Sequence, residues 1–518
     1  MTEVLIVGAG TVGLSAAVFL AHHGVRVHVV ERADGPQQHP RATGVGVRTV
    51  ELLREVGLAE AVNAVAVDMS AGTLGKIGAE TLAAADLPHR PAGPHHARRT
   101  ADTPYTPAVL RGTCPQNRLD AVLLPAARER GAIVEYGVAL EDFEQDATGV
   151  RARLCDGRLL RADYLVAADG VRSPIRAALG IGTTGAGNLG TAKNNTLFRA
   201  DLSGLLGPHS FIACDLTHPR VRGTLMTIDG AHEWVLHTEQ SLEVTPELIR
   251  TALGAPGLPV EIVSTLPWRI RALLADRYSR GRVFLVGDAA HAIPPLGAFG
   301  MNTGIADAHN LAWKLALVLR GTATPALLAT YHQERHPVGR LAVEQATLRL
   351  ADPELHWGRG PAASAARAAA GVLNAPIVQL GYRYASAAVI DPDPTLPSTE
   401  DVEHVLDGSA GSRLPHRWIA GGLSTLDLVR SRFTLLTGPD GAHWRPAAAR
   451  LDLPVHTVEL ARIPAGGALL VRPDGFVAWR AAATPQDLGA VLARLLDPPV
   501  DPAYDRADDR AAAAGSAA

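Results

Sequence analysis

Three groups of residues have the types and spacing to bind and use a dinucleotide. Gly8, Gly10 and Gly13 form a GxGxxG. The first glycine permits a tight turn, the second lets backbone approach a diphosphate, and the third lets a helix pack on a strand. The free N–H groups and dipole of the following helix would hold the anion. Glu31 stands at the distance from this turn expected of a carboxylate that bonds ribose hydroxyls. The second group is Asp169-Gly170-Val171-Arg172-Ser173-Pro174. The third runs from Gly287-Asp288 through Pro294-Pro295, Gly297, Gly300-Met301-Asn302 to Gly304. It offers a carboxylate, then a Pro/Gly loop that can press backbone against a flat ring. A helix N-terminus follows, able to stabilise negative charge on that ring.

Each group needs a strand to its N-terminal side and a helix to its C-terminal side, and the pattern supplies both. Val4-Leu5-Ile6-Val7 reads as a buried parallel strand, Leu14 to His23 as a helix stopped at Gly24, and Val25 to Val30 as the next strand. Helices are expected over Arg48–Val56 and Pro115–Arg130. Strands are expected over Ile133–Val138, Val150–Leu154 and Tyr164–Ala168. Residues 185 to 265 are strand-rich. Arg282 to Val286 is a further buried strand, followed by a long helix over Asn302–Leu319. The Pro/Gly-rich stretch 385 to 415 suits a linker. Beyond it, Phe433–Leu436, Ala468–Arg472 and a helix over Pro485–Leu496 make a small α/β unit. The Ala/Asp-rich tail 501–518 is expected to be flexible.

Composition narrows the field. At 518 residues the prior is roughly three domains. The formal charge of −3 lacks the basic surplus of a nucleic-acid binder. Cys114, Cys155 and Cys214 cannot build a disulfide framework, no CxxC is present, and no metal-ligand spacing appears. The N-terminus has no signal-peptide pattern and no apolar run is long enough to span a membrane, so a cytoplasmic, membrane-free protein is expected. His291 reads as a packed histidine, Trp313 as core, and His22-His23 and His95-His96 as surface residues.

On its three ordered motifs the chain resembles the class A flavoprotein aromatic monooxygenases, the para-hydroxybenzoate hydroxylase-like group. Within that group the stretch Asn302 to Leu315 and the C-terminal unit look most like the hydroxylases of polycyclic aromatic polyketides, of the anthracycline and tetracenomycin kind. The resemblance implies an α/β protein: a Rossmann-like FAD-binding domain, an inserted β-sheet substrate domain and a C-terminal thioredoxin-like domain without its CxxC. The expected bounds are 1–75, 105–180 and 265–340 for FAD, and 76–104 and 181–264 for substrate. A helical linker region over 341–404 and the thioredoxin-like domain over 405–500 complete the chain.

The resemblance further implies FAD, with NADPH or NADH as co-substrate. Gly8, Gly10, Gly13, Glu31 and Arg32 match the adenosine and diphosphate site. Arg41 matches an arginine beside the flavin, Gln116 a residue near the ribityl chain, and Asp288 the carboxylate that binds ribityl or ribose hydroxyls. Pro295, Gly300, Met301 and Asn302 match the loop and helix start at the flavin ring. Asp169 and Gly170 match a motif tied to both FAD and NAD(P)H. Ala298-Phe299 departs from the Gly-Gln or Gly-Arg of many relatives. The implied reaction reduces FAD, activates O2 as a flavin hydroperoxide and hydroxylates an aromatic small molecule. No side chain stands out as the catalytic acid or base, and the oligomeric state, a homodimer included, stays open. Baeyer–Villiger oxygenation, a plain NAD-dependent dehydrogenase and a non-catalytic flavin-binding protein are the rival readings. A flavin halogenase is disfavoured by the missing WxWxIP.

Overall fold

The computed structural model describes residues 2–69, 72–88, 104–108, 110, 112–396, 401–460, 463–482 and 487–499. His95-His96 and the tail 501–518 lie outside these residues.

The β-branched run Val4–Val7 forms the centre of a six-stranded sheet. Its order is Ser279–Arg280, Val283–Leu285, Tyr164–Ala167, Val4–Val7, Val27–Glu31, Ile133–Tyr136. All pairings are parallel except that of Ser279–Arg280 at one edge. Strands covered on both faces must be apolar throughout. Tyr164–Ala167 and Val283–Leu285 are accordingly buried at every position. Helices Thr11–His22, Gln116–Glu129 and Phe299–Leu319 join the same core. Thr11–His22 and Phe299–Leu319 approach closely because the contact is made of glycine. A Cβ on Gly304 would fall 2.7 Å from Val12 and 2.8 Å from the Cα of Gly287. The long helix starts at Phe299, three residues before the expected Asn302. Asn302 is therefore in its first turn rather than at its start.

A second sheet has seven strands, in the order His291–Ala292, Glu261–Ala275, Thr183–Arg199, Glu233–Glu239, Val221–Thr227, Ala213–His218, Lys76–Ala79. Two strands are long, Thr183–Arg199 and Glu261–Ala275, and their mutual register shifts at three places. Such irregularities bend a sheet. His291–Ala292 pairs with Leu273 and Leu274, which ties the loop after Asp288 to this second sheet. A four-stranded C-terminal sheet runs Val455–Thr457, Thr434–Thr437, Ala468–Val471, Val477–Ala481.

The stretch 385–415 is not the open linker its composition suggests. Ala388, Val389, Ile390, Arg413 and Leu414 are buried, and the Ser386 hydroxyl donates to Glu334 at 2.6 Å. Gly408 and Gly411 are buried there and shape turns inside a packed interface, whereas Pro394 is exposed. Among the described residues no helix is long and apolar enough to cross a membrane.

Candidate active site

Three parallel strands, Val4–Val7, Tyr164–Ala167 and Val283–Leu285, end on one edge, where ligands bind in open α/β sheets. Each delivers one of the three motifs. At the first, Gly8 has φ +106°, and a Cβ there would lie 2.3 Å from the Ala168 carbonyl oxygen. A Cβ on Gly13 would lie 1.9 Å from the Gly8 carbonyl oxygen. Gly10, in contrast, faces open space. It precedes Thr11–His22 with no side-chain cap, so the helix presents bare N–H groups. Glu31 closes the turn: Oε2 accepts from the Ala9 N–H at 2.8 Å and Oε1 from the Ala33 N–H at 2.9 Å. Arg32 is exposed beside it.

At the second strand end, Gly170 has φ +81°. Asp169 Oδ2 accepts from the Ile175 N–H at 3.1 Å, while Oδ1 is buried with no partner. Burial raises this carboxyl above its ordinary range. Arg176 links this motif to the third by donating to the Ala289 carbonyl at 2.7 Å and to the Val171 carbonyl at 3.1 Å.

At the third, Asp288 occupies the short turn Gly287–Ala289. The residue is exposed, while the protein around its carboxyl group raises its pKa by desolvation. The charges of His291, Arg41 and Arg271 oppose that rise. Asp288 therefore lies at the crevice outside the strand ends, with Arg41 within its field. Gln116 joins the same wall, because its N–H donates to Ala42 at 2.9 Å, next to Arg41. Pro295 is exposed, and Gly300 and Met301 are partly so.

Asn302 differs from expectation. Its side chain is a staple: Nδ2 donates to the carbonyls of Gly44 (3.0 Å) and Ala298 (2.6 Å). Oδ1 accepts from the Gly46 N–H (2.8 Å) and the Thr49 hydroxyl (2.7 Å). It thus fixes the segment after Arg41 against the helix start. Ala298 precedes that helix with φ +54° and no side-chain cap. No side chain caps its first-turn N–H groups, which leaves them available to an anion.

The glycine cradle, the unpartnered Asp169 oxygen, the enclosed Asp288 and two uncapped helix starts fit the diphosphate, hydroxyl and ring groups of a flavin dinucleotide. Sequence reasoning missed the supports behind them. His291 is packed as expected, but its Nε2 meets Asp307 Oδ2 at 2.7 Å, and Arg335 Nε donates to Asp307 Oδ1 at 2.8 Å. All three are buried. Asp307 looked like one more polar residue of a helix; only its spacing on the same face as Thr303 and Asn310 hinted at an inward position. No group of His, Cys, Asp and Glu that could hold a metal occurs among the described residues.

The comparisons with known proteins agree with this geometry. Residues 1–346 match the FAD binding domain family, and residues 407–499 match the C-terminal domain of aromatic-ring hydroxylases. The tetracenomycin A2 monooxygenase-dioxygenase of Streptomyces glaucescens is 39% identical, covering 95% of this chain and 96% of that protein. An aklavinone 12-hydroxylase of Streptomyces purpurascens is also 39% identical, over 96% of this chain and 99% of its own length. The crystal structure of an aklavinone-11 hydroxylase with FAD and aklavinone superposes with a TM-score of 0.82 at 37% identity, covering 96% of this chain and 99% of that one. The chain belongs to the FAD binding domain family of aromatic-ring hydroxylases. It is an FAD-dependent monooxygenase.

Proposed function

We propose that the protein hydroxylates a polycyclic aromatic polyketide with NAD(P)H and O2, in the biosynthesis of an antibiotic-type natural product. One observation carries the reading: three motif-bearing strand ends lie side by side, and the loop after the third is tied to the seven-stranded sheet by the pairing of His291–Ala292 with Leu273 and Leu274, so a cleft between the two sheets is where the ligands would bind. Ligands favour such interfaces. The relatives named for tetracenomycin and aklavinone chemistry support the substrate class.

In this reading Gly8, Gly10, Gly13 and the start of Thr11–His22 hold the diphosphate, and Glu31 and Arg32 the adenosine side. Arg41, Gln116 and Asp288 hold the ribityl chain and flavin edge. Asp169 and Gly170 keep the glycine turn and the third motif in register. Pro295, Gly300, Met301 and Asn302 back the ring. FAD, when bound, would supply the redox chemistry at this site, with the nicotinamide as reductant and dioxygen as oxidant. The chain's own part is electrostatic and steric. The uncapped start of Phe299–Leu319 stabilises negative charge on the ring. With substrate bound, the cleft walls would shield the reacting ring from water. The C-terminal unit is read as a thioredoxin-like domain with a structural role, since it has no CxxC.

The test is turnover of hydroxylated polycyclic ketones under labelled dioxygen. One labelled oxygen should appear as a new ring hydroxyl. A labelled ester oxygen beside a former ketone would replace this reading with Baeyer–Villiger chemistry.

A further inference from the structure

The sheet face turned toward the Arg41 segment carries a histidine whose Nδ1 has no partner among the described residues. Side chains alternate between faces along a strand. Trp234, Leu236 and Phe198 pack into the core that also holds Leu248 and Ile249 of the helix Pro246–Leu253. Val235 and Leu197 therefore point to the opposite face, and they form a separate cluster with Ile228. His237 is two residues beyond Val235 on that same face, and Asn195 is its cross-strand partner. Asn195 Oδ1 accepts from His39 Nε2 at 2.8 Å, and His39 Nδ1 meets Ser264 Oγ at 2.7 Å. His39 stands two residues before Arg41, so this face meets the segment leading to the cleft.

The polar neighbours are satisfied and His237 is not. Its Nδ1 is buried without a partner, and it makes no hydrogen bond among the described residues. Buried polar groups are nearly always paired, so an exception asks for a ligand or a reason. The ring lies 5.0 Å from that of Trp268, tilted by 56°, and both side chains are half-buried. A planar indole beside a half-buried imidazole suits a flat ring that bears a polar substituent.

We infer that His237 is a specificity-determining residue that accepts a hydrogen bond from a phenolic hydroxyl of the aromatic substrate, with Trp268 against the ring. The inference rests on the function proposed above. The chemistry of the group agrees. Burial, then the charges of Lys193 and His39, hold the imidazole down to about 4, so it is neutral and can accept at neutral pH. An ordinary phenol titrates near ~10. That gap makes His237 a recogniser of the hydroxyl and not the base that removes its proton.

The experiment uses the FAD-loaded protein, a panel of hydroxyanthraquinones and the methyl ether of each. Binding is read by tryptophan fluorescence quenching, and folding by thermal melting. His237→Phe should weaken the preferred phenol by about tenfold to a hundredfold, the cost of leaving its buried hydroxyl without an acceptor. Its methyl ether, which cannot donate, should bind both proteins alike. His237→Gln should recover part of the loss and serves where the Phe variant fails to fold. Equal weakening of phenol and ether, or no change in either, would overturn the inference. Wild-type protein that binds none of the phenols would overturn the proposed function itself.

Discussion

Replacing Arg472 by Met should loosen the C-terminal domain from the flavin domain, because it removes the centre of a buried charge network. Arg472 is fully buried. It donates to Glu334 Oε1 at 2.5 Å and Oε2 at 2.8 Å, and to Asp474 Oδ1 at 3.1 Å and Oδ2 at 2.6 Å. Glu334 lies on the helix Ala326–Ala351 beyond the flavin site, and also accepts from Lys314 Nζ at 2.7 Å and Asn310 Nδ2 at 2.8 Å. Burial alone would raise the Glu334 carboxyl; the charges of Arg472 and Lys314 overcome that and hold it well below its ordinary range. Breaking such a network from one side costs about 3–5 kcal/mol. Lys314, Asn310 and Ser386 still serve Glu334, so the lower end applies, about 3 kcal/mol, or roughly a hundredfold in an opening equilibrium. Hydrogen exchange of the amides in Ala468–Val471 and Val477–Ala481 reads that equilibrium. The expected result is exchange about a hundredfold faster in the Met variant. Wild-type exchange rates would refute the reasoning and leave apolar packing as the clamp.

Three further outcomes follow from the site. Asp288→Ala should purify with little bound FAD, measured as the ratio of visible to ultraviolet absorbance; full occupancy would remove Asp288 from the cofactor site. Asn302→Ala loses three hydrogen bonds to Gly44, Gly46 and Thr49 of the segment after Arg41, and a fourth to Ala298 at the helix start. It should cost about 2–4 kcal/mol in urea unfolding and raise the FAD dissociation constant. Asp120, buried at the Thr11 hydroxyl, is pushed up to about 7 by desolvation. A raised carboxyl favours folding only while protonated, so its contribution falls as pH rises from about 4 through about 7. Asp120→Asn should therefore unfold at higher urea than wild type at pH ~8, by up to about 4 kcal/mol, with the gap closing toward pH ~4.5.

Legibility followed the range of the interactions. The first motif was readable because its turn, its strands and Glu31 all lie within one βαβ unit, where local spacing dictates geometry. Asp288 and Asp169 were readable for the same reason, each standing directly after a buried strand. The place of Asn302 near the start of the long helix was legible, but its side-chain staple was not, since its partners Gly44, Gly46 and Thr49 are more than 250 residues away. The domain clamps were invisible. Glu51 takes bonds from Arg413 across 362 residues, and Arg48 reaches the Asp474 carbonyl at 2.7 Å. On a helix read alone, Arg48, Glu51 and Glu334 look like solvent-facing charges, and only the tertiary fold turns them inward. The same blindness made 385–415 look like a linker, because proline and glycine mark turns whether the turns are exposed or packed.

The central claim is that the cleft holds FAD and turns NAD(P)H and O2 toward an aromatic ring. The direct measurement is the visible spectrum of the purified protein, followed by NADPH oxidation with and without polycyclic phenols. Flavin absorbance bands and oxidation stimulated by an aromatic ligand are the predicted result. A protein that takes up no flavin, even when FAD is added, would contradict the account at its root.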